Sequence, residues 1–154
     1  MASVRHRVGI RGSLSDVFRA ITEPNGLTGW WATTASGTCK VGEKLDLGFG
    51  GVITLSFVVR EIVPDKLLRL ICPHGPGPWA NSDLSFQIDA DEEQTFVTLV
   101  HESEQATDDD FLYFNTKWPI YLLSLRDFVE TGTGRPSPKD IPIHVGDTVT
   151  SNTE

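Results

Sequence analysis

The chain has 154 residues, 39% hydrophobic and 22% charged, with a formal net charge of −8; that is the composition of an ordinary globular protein of about one domain. The acidic balance argues against nucleic acid or an anionic membrane as partner, because phosphate binding needs clustered Lys and Arg. No apolar run reaches the roughly 18 residues of a membrane span, and Arg5, Arg7, Arg11 and Asp16 interrupt any signal-type apolar stretch, so a cytoplasmic location is expected.

Residues 3–11 alternate around Val4, His6, Val8 and Ile10, which predicts a first strand ended by Gly12. Ser13 or Ser15 can cap the helix that follows, with Asp16 in its first turn and Val17, Phe18, Ala20 and Ile21 on its apolar face. Pro24 stops that helix and suits the first turn of a second short one carrying Leu27, Trp30 and Trp31. Adjacent tryptophans cannot share one side of a helix, so one is expected in the core and the other against a cavity or solvent. Residues 33–42 are small and polar, hence a loop.

Four further strands follow the pattern of successive hairpins. Residues 44–49 alternate, and Gly50-Gly51 signals a tight turn into 52–62. Pro64-Asp65-Lys66 turns the chain into 67–74, where Leu68, Leu70, Cys72 and His74 share a face. Residues 73–78 hold three prolines and two glycines, too many breakers for regular structure. Residues 81–89 place Ser82, Leu84, Phe86 and Ile88 on one side. A fifth strand, 96–102, completes the meander, but its inward side is ambiguous between Val97, Leu99, His101 and Phe96, Thr98, Val100.

The run 108–130 is the long helix of the chain. Phe111, Phe114, Trp118, Tyr121, Leu122, Leu125 and Phe128 recur at three- and four-residue spacing and make an aromatic-rich stripe. Asp108, Asp109 and Asp110 suit its positive N-terminal end better than they suit a cation site. Gly132, Gly134 and Pro136 supply the stop. Pro119 lies inside, which predicts a kink, a bulge or a new helix start between Asn115 and Pro119.

The order of strand, two helices, five strands and one long helix predicts an α+β fold. Its six-stranded antiparallel sheet would have one half-buried face, covered by the long helix. Residues 1–136 are expected to form one domain and 137–154 a polar, flexible tail. The alternative is that Ile141, Ile143 and Val145 dock as an edge strand, the only position Pro142 allows.

Three stretches carry a family resemblance. VFRAITEPNGLTGWW resembles the early two-helix signature of the Hsp90 ATPase activator homologue family, REIVPDKLLRL its central hairpin, and TKWPIYLLSLRDFVETGTGRP its C-terminal helix. That family belongs to the START-like, helix-grip superfamily. The resemblance implies a curved sheet gripping the long helix with a cavity between them. Its members include small-molecule binders, polyketide cyclases and aromatases, lipid carriers and chaperone activators, and fold does not choose among these.

The residues themselves favour binding over chemistry. His6, His74, His101 and His144 show no metal-ligand spacing, Cys39 and Cys72 form no metal motif, and there is no nucleophile elbow or phosphate loop. Neither a metal nor a cofactor is expected. Trp30, Trp31, Phe49, Phe57, Trp79, Phe86, Phe114, Trp118 and Tyr121 form a set suited to an apolar cavity with few polar points. His74, Ser82 and His101 fall at one end of neighbouring strands and would supply the polar end of that cavity. The expected partner is a small hydrophobic or aromatic molecule. A cyclase- or aromatase-like enzyme and a chaperone-interaction module stay open as alternatives, as does a homodimer.

Overall fold

The computed structural model describes residues 3–143. The chain runs β1 (Ser3–Ile10), α1 (Leu14–Thr22), α2 (Pro24–Trp30), β2 (Thr34–Gly37), β3 (Lys44–Phe49), β4 (Ile53–Val63), β5 (Leu67–Cys72), a 3-10 turn (Gly77–Trp79), β6 (Ser82–Ala90), β7 (Thr95–Ser103) and α3 (Asp108–Thr131). The strands form one antiparallel sheet in the order β1-β7-β6-β5-β4-β3-β2. It has seven strands, not the expected six. The extra one, β2, lies inside the expected loop: TASG is short, mostly exposed and without apolar alternation, and only its pairing to β3 makes it a strand.

The helix ends follow elementary capping. Ser13 accepts the Asp16 amide at the start of α1. Thr107 and Asp110 exchange side-chain-to-backbone bonds at the start of α3, with Asp108 and Asp109 in the same turn. Gly132, in the left-handed conformation at φ 85°, closes α3.

One face of the sheet is apolar and meets α3. Leu45, Leu47, Leu55, Phe57, Leu68, Leu70, Leu84, Phe86, Val97 and Leu99 are buried against Phe114, Trp118, Leu122 and Leu125. In β7 the inward set is Thr95, Val97, Leu99, His101 and Ser103, which settles the ambiguous strand. Its outward Phe96 lies under the Arg7 guanidinium.

No new helix begins at Pro119: α3 is continuous across it. Proline inside a helix costs about 3 kcal/mol. Burial of Phe114 and Trp118 before it, and of Tyr121, Leu122 and Leu125 after it, keeps both halves on one face and outweighs that loss.

The start of the expected tail is packed. Gly132 turns the chain back, the Arg135 amide donates to Ser124 Oγ, and the Ser137 amide donates to the Trp31 carbonyl. Ser137 is 2% exposed, and Asp140 pairs with Lys117. The stretch is polar by composition, but its backbone and Asp140 make specific contacts with Trp31 and α3. Residues 141–143 form no strand. The rest of that tail, with His144 and Val145, lies outside the described residues.

Candidate functional site

A cleft of about 90 Å³ opens between the sheet and α3. Its apolar walls come from five places in the chain. Trp31 follows the last turn of α2, Phe49 ends β3, and Ile53 and Leu55 begin β4. Trp79 hangs from the 3-10 turn, and Phe114 and Trp118 project from α3. One end is polar: Tyr113, Lys117 and Tyr121 from α3 meet Ser137 and Asp140 from the returning segment.

Local geometry explains the tryptophans. Helix α2 ends at Trp30, and Trp31 leaves helical geometry at φ −122°, ψ −64°. The constraint that helical neighbours diverge is therefore lifted. Both indoles are buried and stacked, 5.5 Å apart. Trp30 donates from Nε1 to the Ala20 carbonyl and sits behind the cleft; Trp31 lines it and packs 5.4 Å from Trp118.

The polar end is built around one ion pair. Lys117 and Asp140 form an ion pair in which neither side chain exceeds 10% exposure, and Lys117 Nζ also donates to the Ile141 carbonyl at 3.1 Å. The Tyr121 phenol shares that end of the cleft and feels the Asp140 charge. Burial, then the Asp140 charge, push its pKa far up, so it keeps its proton and acts as a donor. Ser137 Oγ is buried and has no hydrogen-bond partner among the described residues; it faces the phenol without a bond of ordinary geometry.

His101 points inward but does not line the cleft. The Trp118 indole N–H donates to His101 Nδ1 at 3.1 Å, and His101 Nε2 lies 3.0 Å from Ser82 Oγ. An Nδ1 that accepts carries no proton, so the neutral ring carries it on Nε2 and donates to Ser82. Ser82 and Ser103 both reach the Pro78 carbonyl, which ties the 3-10 turn to the sheet. Trp79 stacks on the imidazole at 4.6 Å. The network fastens α3, β6, β7 and the turn together. Ser82 and His101 are thus spent on each other and on Trp118.

Burial holds the His101 pKa down at about 4, with Asp83 opposing weakly. This has a consequence for stability. Below the ordinary histidine value of about 6.5 the unfolded chain takes up a proton that the folded chain refuses. Stability should therefore fall as pH drops from about 6.5 towards 4, by on the order of 3 kcal/mol, and stay level above. Urea melts between pH 5 and 7 check this; the slope should vanish in His101→Gln, whatever that variant's own stability.

Of the other residues singled out from sequence, Trp31, Phe49, Trp79, Phe114, Trp118 and Tyr121 meet in the cleft. Trp30, Phe57 and Phe86 are buried behind it: Trp30 stacks on Trp31, and Phe57 and Phe86 meet Trp31 in tilted and edge contact. His74 is excluded: β5 ends at Cys72, Pro73 breaks the alternation, and His74 is exposed on the following bend. Sequence reasoning missed Ile53, Leu55, Tyr113, Lys117, Ser137 and Asp140. Lys117 carried a usable signal, a cation three residues after Phe114 and four before Tyr121, on the apolar stripe itself. Ser137 and Asp140 carried none. Among the described residues no cluster of three or more His, Cys, Asp or Glu could hold a metal ion, and no helix is long and apolar enough to cross a membrane.

Residues 11–130 match the protein family described as "Activator of Hsp90 ATPase homolog 1-like protein". The Aha1 dimer from Colwellia psychrerythraea is 35% identical with a TM-score of 0.78, over 87% of this chain and 100% of that one. DynU16, from the dynemicin biosynthetic locus, is 20% identical with a TM-score of 0.78 over 86% of this chain, which spans 48% of DynU16. SSP2350 from Staphylococcus saprophyticus is 18% identical with a TM-score of 0.75, over 88% of this chain and 98% of that one. At that identity the last two likenesses concern the fold alone. No curated protein matches.

Proposed function

Because the chain belongs to the Activator of Hsp90 ATPase homolog 1-like family, within the START-like superfamily, we propose that it binds a small hydrophobic or aromatic molecule in the cleft between sheet and α3. The observation that carries this reading is the wall of that cleft: five aromatic rings, from Trp31, Phe49, Trp79, Phe114 and Trp118, around a space with one polar end. Aromatic walls with few convergent polar groups are the usual form of a small-molecule site. The volume sets the ligand's size. An apolar cavity of roughly 150 Å³ holds benzene, so a cleft of about 90 Å³ admits one small ring, part of it projecting from the open side. A fused-ring substrate would need the returning segment to move.

Acid–base catalysis is less well supported. The His101 ring is held by Trp118 and Ser82, Tyr121 keeps its proton, and the Lys117 and Asp140 charges answer each other. Native mass spectrometry of the gently purified protein tests the binding reading. A co-purifying molecule of one-ring size that is lost from a variant with the cleft filled, Leu55→Trp, is expected. Wild type that carries nothing and takes up no aromatic probe would defeat it.

A second reading concerns assembly. A 35% identical relative is described as a dimer, and Leu112 on α3 and Val41 beyond β2 are large apolar side chains at 63% and 64% exposure. Both a self-association and a chaperone contact are open to such exposed apolar side chains. Sedimentation measured across a concentration series separates them: a monomer at all concentrations removes the homodimer.

A further inference from the structure

We infer that Ser137 is the ligand-recognition group of the cleft, and that the ligand it selects is a neutral single-ring molecule with one hydrogen-bonding oxygen, a phenol or ring ketone, and not an acid. This rests on the binding reading above and specifies its chemistry. The two charged groups at that end are matched from within. Lys117 Nζ serves Asp140 and the Ile141 carbonyl. Tyr113 also engages in contacts of its own. Ser137 differs: its Oγ is buried, lines the cleft, and has no partner among the described residues.

A buried hydroxyl without a partner is rare, because desolvation is then uncompensated. Its position is not accidental slack. The Ser137 amide donates to the Trp31 carbonyl and its carbonyl accepts from Thr33 Oγ1 at 2.6 Å, so the backbone is fixed on both sides of the side chain. The hydroxyl is thus held at the cleft lined by Trp31 and Trp118, where an aromatic guest would lie. A hydroxyl can donate to a ligand oxygen or accept from a ligand O–H.

Charge decides against an acid. The ammonium of Lys117 is already matched, so the cleft is electrically balanced, and a ligand carboxylate would sit beside Asp140 without a cation left to answer it. Neutral oxygen ligands carry no such penalty.

Calorimetric titration with phenol, toluene and benzoate tests this, because the three share a ring and differ only in the substituent. Wild type should bind phenol about tenfold more tightly than toluene, the ratio expected for one satisfied buried hydrogen bond, and benzoate most weakly. In Ser137→Ala the phenol advantage should vanish while toluene affinity holds. Ser137→Thr, which keeps the hydroxyl, should retain the advantage; the melting temperature of each variant reports that it folds. Equal phenol and toluene affinities in wild type would overturn the role of Ser137 yet leave the aromatic site standing, and would mean the hydroxyl is served by a trapped water only. Benzoate as the tightest probe would overturn the neutral-ligand assignment and move recognition to Lys117. If none of the three binds, both this inference and the site fail.

Discussion

Asp140→Ala should destabilise the protein by on the order of 3 kcal/mol, a large effect for a residue in a stretch whose composition reads as tail. Its carboxylate answers Lys117, and both side chains are nearly buried. Removing it leaves an ammonium in a low-dielectric site with the Ile141 carbonyl as a remaining acceptor. Breaking one half of such a pair costs more than replacing both halves. The double variant Lys117→Met/Asp140→Leu should therefore recover most of the loss. Urea melts of the wild type, both single variants and the double variant give the full cycle. Additive losses in the double variant would mean that the two charges act independently.

Trp31→Ala should cost on the order of 4 kcal/mol, the scale of deleting a large ring from a packed core. Trp31 is 1% exposed and touches Trp30, Phe49, Phe57, Phe86 and Trp118. It thereby joins the deep core to the cleft that it lines. The variant should lose stability and widen the cleft together. A thermal melt within a degree or two of wild type would show that the ring is peripheral to the core.

The elements with strong periodicity are legible in the sequence. The alternating strands from Lys44 onward and the stripe of α3 can bury their apolar side in only one way, so order and pairing follow. What escapes are features with no periodic signal. TASG is a strand only because β3 offers it an edge. Trp30 and Trp31 share one side only because α2 stops between them, a boundary no hydropathy pattern marks. For the site, the aromatic wall can be read because rings on inward positions must meet somewhere. The polar end cannot: Asp140 reaches Lys117 through the turn at Gly132, a contact between distant residues that depends on the helix having ended first. His101 illustrates the opposite error. Its inward direction is legible, but its use is not, because Trp118 Nε1 and Ser82 Oγ claim both ring nitrogens.

If the cleft beneath α3 is the binding site, indole resonances report on it directly. Three of the four tryptophans, Trp31, Trp79 and Trp118, line the cleft; Trp30 lies behind it with its N–H bonded to Ala20. In a two-dimensional nitrogen–proton spectrum of labelled protein titrated with phenol, the indole signals of Trp31, Trp79 and Trp118 should shift together along one saturable curve, and that of Trp30 should move least. Saturable shifts confined to exposed residues such as Leu112 or Val41, with all four indole signals unmoved, would contradict it.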